Sequence, residues 1–287
     1  MTSRPYKRGP FHSADEEARA VQKKRGTAQT LSPSYKLAFQ DDEFLLREEL
    51  RPVRLQLELL KPEMILQEYG IESTVVLFGS ARLPDPQKAE ENVLEVQREL
   101  QQYPEDPLLK NKLRKAKRDL RNSHYYEQSR KLARLISENT PDNKLVVITG
   151  GGEGVMGAAN RGAYDAGAKS IGLKIALPYE QIPNAYVTPE FSFQFHYFAI
   201  RKMHFLLRAK GLVAFPGGFG TLDELFETLT LIQTGKVEKI PVLLFGKDFW
   251  KSVIRFETLV EEGTISPEDL NLFQYVETAE EAWEIIS

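Results

Sequence analysis

The sequence predicts an α/β protein: a doubly wound parallel sheet flanked by helices, with an N-terminal helical extension and a helical insertion after the first strand. Three observations carry this. Short apolar runs of strand length recur through residues 73–287, helical patterns separate most of them, and several runs end at a glycine. Strands that alternate with helices assemble into parallel sheets with right-handed crossovers.

Thr74-Val-Val-Leu-Phe-Gly79 is the first such run, and Lys144-Leu-Val-Val-Ile-Thr-Gly150 the second. Ser170–Ile175, Gly211–Phe215 and Ile240–Phe245 read the same way, and Leu272–Val276 is a weaker last strand. Their apolar residues are continuous rather than alternating, as in strands covered on both faces. The insertion, about 86–139, holds two helical patterns and a basic stretch: Lys110, Lys112, Arg114, Lys115, Lys117, Arg118 and Arg121. The plain reading is a solvated helix face, and the second is a surface for polyanions. Residues 1–35 mix Pro, Gly, Ser and both charges and read as a flexible, basic N-terminal arm. Residues 36–72 read as a helical extension. Leu46, Leu50, Val53, Leu57 and Leu60 recur at helical spacing, and Pro52 and Pro62 are expected to break the pattern into more than one helix.

Composition excludes several functions. The 287 residues include no cysteine, which rules out disulfides, thiolate nucleophiles and cysteine-held zinc. His12, His124, His196 and His204 are scattered without metal-ligand spacing, so no metal is expected. The net charge of −3 gives no ground for nucleic-acid binding. No apolar run reaches the ~18 residues of a membrane span, and the N-terminus has no signal-peptide core. A cytoplasmic protein is expected.

Two glycine-rich loops each join a strand to a helix. In Thr149-Gly-Gly-Gly-Glu-Gly-Val-Met-Gly157, residues Gly152, Gly154 and Gly157 spell G-x-G-x-x-G, and Gly151 belongs to the same turn. Such loops bring backbone amides to a phosphate at a helix N-terminus. A dinucleotide site would also place an acid ~20 residues on, at the end of the next strand. That strand ends Lys174-Ile-Ala-Leu177 instead, so a mononucleotide site is preferred. The alternative is that the glycines only allow tight helix–strand packing. The second loop, Phe215-Pro-Gly-Gly-Phe-Gly-Thr-Leu-Asp-Glu224, offers Gly217, Gly218, Phe219 and Gly220 to wrap an anion and Thr221 to cap the helix and meet a phosphate. Gly79-Ser80 supplies a further turn at the same sheet edge. Glu224 has two readings, a functional carboxylate or the far end of a Thr221-x-x-Glu224 capping box. Arg201 has two as well, a site cation or one more charge on its helix.

At these residues the chain resembles a known family. Pro216–Glu224 resembles the P-G-G-x-G-T-x-x-E signature of the LOG (Lonely Guy) family of cytokinin-activating phosphoribohydrolases. Arg201-Lys202 resembles that family's R-K element, and Gly150–Met156 its G-G-G-x-G-x-M loop. The similarity runs from about Ser73 to Ser287. Two features depart from it. Phe198-Ala199 stands where many short members have Met-His, and residues 1–70 and the insertion are extra.

The resemblance implies a Rossmann-like nucleotide-hydrolase domain over 73–287 and at least a homodimer, with the site near the subunit interface. It implies hydrolysis of a purine nucleoside 5′-monophosphate, AMP or an N6-substituted AMP, to free base and ribose 5-phosphate, without a cofactor. Arg201 and Glu224 fall on its catalytic positions; Lys202, Gly217 to Asp223 and Thr230 fall on its nucleotide contacts, and Glu180 on a substrate-contacting acid. Some relatives carry the label lysine decarboxylase, but nothing in the chain suggests a pyridoxal phosphate domain. The rival reading is a protein that binds or carries a nucleotide or the molybdenum cofactor without cleaving it.

Overall fold

The structure is a computed structural model that describes residues 12–22, 26–140, 144–178 and 182–287. The chain divides into two units, Met1–Lys61 and Pro62–Ser287.

In the first unit, Ala14–Gln22 forms α1, with Asp15, Glu16 and Glu17 in its first turn, where the helix dipole favours negative charge. Part of the stretch read as a flexible arm is therefore helical, while residues 1–11 and 23–25 lie outside the described residues. The short helices α2 (Ala28–Leu31) and α3 (Asp42–Leu45) follow, α3 capped by the Asp41 carboxylate accepting from the Phe44 amide. The pattern is divided, but helix α4 (Arg51–Glu68) starts just before Pro52 and runs on through Pro62, so the break expected at Pro62 does not occur. Pro52 lies in the first turn, where no intrahelical bond needs its missing N–H. Pro62 is tolerated inside the helix at the loss of one backbone bond.

The second unit carries a seven-stranded sheet: β1 (Ser73–Phe78), β2 (Leu145–Thr149), β3 (Ser170–Ile175), β4 (Ser192–Phe195), β5 (Ala209–Ala214), β6 (Val242–Phe245) and β7 (Gln274–Val276). Its order is β4-β3-β2-β1-β5-β6-β7, every pair parallel. Helices α5 (Pro86–Gln102), α6 (Pro107–Asn122) and α7 (His124–Asn139) lie between β1 and β2. The remaining helices are α8 (Val155–Asp165), α9 (Phe198–Leu206), α10 (Phe219–Gln233), α11 (Lys247–Val253), α12 (Phe256–Glu261) and α13 (Ala279–Ile286).

Successive side chains of a strand face opposite ways, and β1 shows why its apolar run had to be continuous. Val76 and Phe78 pack into one core with Phe205 of α9 and Leu225 of α10. Val75 and Leu77 pack into another with Leu132 of α7 and Val155 of α8. Both faces are buried, so the sheet is doubly wound. Sequence reading missed β4 because Ser192-Phe-Gln-Phe195 alternates over only four residues at the sheet edge.

Strand order reverses at β1. Its outgoing turn meets the outgoing turn of β5, where the Ser80 amide donates to the Pro216 carbonyl at 2.9 Å and the Phe215 amide to the Phe78 carbonyl at 2.8 Å. In open α/β sheets a crevice forms at such a switch point, beyond the carboxyl ends of the strands.

Candidate functional site

The second glycine loop does not build the capping box that was one of the two readings of Glu224. Helix α10 starts at Phe219 with Gly218 as its N-cap, and no side chain caps it. Thr221 is already inside the first turn and is 6% exposed. A Cβ on Gly217 would stand 2.1 Å from Thr221 Oγ1, so glycine is what lets the loop close over that threonine. The loop's own geometry thus sets the helix start three residues earlier than the Thr-x-x-Glu pattern suggests. The Phe219 and Gly220 amides have no acceptor among the described residues, and open space lies above Gly218 and Gly220. Unsatisfied first-turn amides with no side chain over them form an anion-binding end of a helix.

Glu224, freed from capping, points at α9. Its Oε1 accepts from Arg201 Nη2 at 3.4 Å, and its Oε2 lies 3.4 Å from Lys202 Nζ. The carboxylate is 4% exposed. Burial pushes its pKa above the usual value, against the pull of Lys202 and Arg201. Burial also lowers the Arg201 pKa, opposed by Glu224 and Asp223, yet a guanidinium stays charged at any physiological pH. Its Nε–H is buried and has no hydrogen-bond partner among the described residues, where buried polar groups are as a rule paired. Lys202 is held differently, 2.7 Å from Asp223 Oδ2 and 2.9 Å from Glu227 Oε2. Burial alone would lower its pKa, but these bonds and the Glu224 charge raise it.

The first glycine loop is fixed from beneath. Gly154 has φ +66°, and a Cβ there would lie 2.3 Å from the Ser80 carbonyl oxygen. The Val155 amide, first in α8, donates to that same oxygen at 3.1 Å. Asn184, 4% exposed, donates from its amide to Gly151 O at 3.0 Å and from Nδ2 to Gly152 O at 2.9 Å. Its Nδ2 also reaches Asn160 Oδ1 at 2.9 Å, which accepts from Thr149 Oγ1 at 2.8 Å. Thr149 Oγ1 in turn accepts from the Gly151 amide at 2.9 Å.

A cleft of about 630 Å³ opens between the loops. It brings together Ser80, Gly152, Gly218, Phe219, Gly220 and Thr221 with Arg201 and Glu224. Gly151, Gly154 and Gly217 belong to the same loops without lining it. Lys202 and Thr230 line a separate concavity of about 510 Å³ on the other side of Phe219 and Leu222. Glu180 lies outside the described residues. Sequence reasoning missed Arg82, which lines the cleft two residues beyond Ser80. Its signal was there: a cation directly after a strand that ends in Gly-Ser. Asn184 was missed as well, because its partners Gly151, Gly152 and Asn160 are 24 to 33 positions away in sequence and only the fold joins them. Among the described residues, no group of three or more His, Asp or Glu is placed to hold a metal ion, and no helix is long and apolar enough to cross a membrane.

Residues 156–286 match a family model described as "Possible lysine decarboxylase". A probable cytokinin riboside 5′-monophosphate phosphoribohydrolase of Oryza sativa subsp. japonica is 32% identical over 47% of this chain and 64% of its own length. A cytokinin riboside 5′-monophosphate phosphoribohydrolase of Arabidopsis thaliana is 31% identical over 51% of this chain and 66% of its own length. The chain thus spans slightly under two thirds of these relatives. Among solved structures, the molybdenum cofactor carrier protein of Chlamydomonas reinhardtii aligns with 74% of this chain and 93% of its own, at 18% identity and a TM-score of 0.40, a likeness too slight to bear on activity. The family match and the curated relatives bear out the resemblance read from the sequence: the chain is similar to the LOG family of phosphoribohydrolases.

Proposed function

We propose that this chain hydrolyses the N-glycosidic bond of a purine nucleoside 5′-monophosphate, with AMP or an N6-substituted AMP as substrate, releasing free base and ribose 5-phosphate. The observation that carries the reading is the buried Arg201–Glu224 pair on the cleft wall, with the Arg201 Nε–H left open. A buried charge pair gains little stability over apolar residues of the same volume, so a functional reason for it is the simpler one.

Cleavage of an N-glycosidic bond leaves positive charge on the ribosyl ring. Glu224, ionised, stabilises that charge and orients the attacking water. Arg201 holds the carboxylate in place through Nη2 and offers Nε–H to the nucleotide. The Phe219 and Gly220 amides bind the 5′-phosphate at the start of α10, which fixes the reacting carbon against Glu224. Lys202 positions Glu224 rather than contacting phosphate, since three carboxylates already surround it. The same surroundings keep it protonated and unsuited to the Schiff-base chemistry of a decarboxylase. The reading includes a cytoplasmic homo-oligomer that works without a cofactor.

The test is incubation of the purified protein with AMP and an N6-substituted AMP, scoring free base and ribose 5-phosphate, beside Glu224→Gln. Glutamine keeps the shape and removes the charge. Wild-type release that falls by about 10²-fold or more in a folded Glu224→Gln is expected for such a group. AMP that binds without base release would replace the hydrolase with a binding or carrier protein.

A further inference from the structure

A second cleft, of about 680 Å³, lies against the Ser80–Leu83 and Pro216–Gly217 turns. It shares Ser80 and Arg82 with the first cleft, so the two meet at those residues. Its far wall is α6, the basic helix of the insertion, which presents Lys115, Arg118 and Arg121 at the spacing of one helix face. Arg118 is neutralised by Asp119 at 2.8 Å. Arg82 and Lys115 have no ion pair among the described residues, and the Arg121 guanidinium touches only the neutral Asn122 Oδ1, at 3.5 Å. Three uncompensated cations therefore face one remaining acid, Asp248.

We propose that this cleft is a second anion subsite that takes the β-phosphate of a nucleoside 5′-diphosphate. The proposal rests on the phosphate position argued above. With the α-phosphate on the first-turn amides of α10, a longer phosphate chain that extends past Ser80 and Arg82 enters the α6 cleft, whose Lys115 and Arg121 are uncompensated. The structure gives the basic stretch of the insertion a task that a merely solvated helix lacks. Lys115, Arg118 and Arg121 line this cleft at the edge of the sheet where the nucleotide site is proposed, and each phosphate added to the ligand brings charge to them. Because Lys115 and Arg121 are exposed, the attraction is screened by salt.

Calorimetric titration of the full chain with AMP, ADP and inorganic pyrophosphate, at low and high salt, tests this. Lys115→Ala/Arg121→Ala serves as the variant; both sites are exposed helix positions where alanine threatens no packing. The expected result is ADP binding about tenfold more tightly than AMP at low salt. The advantage shrinks at high salt and disappears in the double variant, with AMP binding equal to wild type. ADP no tighter than AMP, or an advantage that survives in the double variant, overturns the proposal. So does pyrophosphate alone binding as tightly as ADP, since the cleft would then hold anions without the nucleoside. The readout is heat rather than turnover. An ADP advantage in a protein that cleaves no AMP would leave the subsite standing and sink the hydrolase. AMP cleavage without an ADP advantage would do the reverse.

Discussion

The two glycine-rich loops look alike in sequence and are built for opposite tasks. In the loop before α8, Gly154 is pressed against the Ser80 carbonyl, the Val155 amide is spent on that same oxygen, and Asn184 ties down two further carbonyls. Its glycines allow one loop to lean on another. In the loop before α10, open space lies over Gly218 and Gly220, and the first amides of the helix are unspent. Gly218 and Gly220 face the cleft, while Gly217 lets the loop close over Thr221. Glycine therefore marks close approach, and only the fold says whether the approaching body is protein or ligand.

The largest effect that would break this contrast is at Gly154. Gly154→Ala combines a positive φ with a backbone clash, so it should cost about 3 kcal/mol or more in urea unfolding. A mild effect there would mean that the loop is not a buttress. Asn184→Ala comes next. It strands the Gly152 carbonyl in the interior and takes one of two donors from Asn160 Oδ1, with an expected cost of about 2 kcal/mol by the same measurement. Gly220→Ala tests the other loop. It lies in a helix with nothing within 4 Å of the new methyl, so stability should change by about 0.5 kcal/mol or less. The methyl enters the cleft instead, and AMP affinity should fall about tenfold by calorimetry. Unchanged affinity would detach phosphate binding from this loop. The smallest expected effect is in pH. Glu224 must be ionised to act, and burial raises its pKa, so kcat/KM for AMP should fall on the acid side with a midpoint above the ordinary glutamate value of about 4.3. A midpoint at or below that value would count against Glu224 as the group that titrates.

Much of the fold was legible because burial on both faces writes a continuous apolar run. Strands β1, β2, β3, β5 and β6 are such runs, and glycines follow β1 and β2 at the edge where the cleft forms. The four-residue β4, packed through Phe193 and Phe195 alone, writes too short a pattern to read. Within the site, Arg201, Glu224 and the α10 loop stood out by motif, and the structure gathers them in one cleft. The local capping rule misled at Thr221 because Gly217 and Gly218 turn the chain first. The α6 cations were read first as a solvated face and only second as a polyanion surface, because a helix's outward charges say nothing about which loop lies opposite.

The β1–β5 pair has a kinetic consequence. Val75 pairs with Gly211 and Phe78 with Ala214, so the centre of the sheet closes only after the whole chain between them has been made. Arg201 precedes β5 and Glu224 follows it, and their approach depends on that closure. Joining segments so distant in sequence carries a large loop-closure entropy and slows folding. The nucleotide site should therefore be among the last features to appear during refolding. Binding of AMP, followed in time, would report completion of the central sheet rather than collapse of its separate halves.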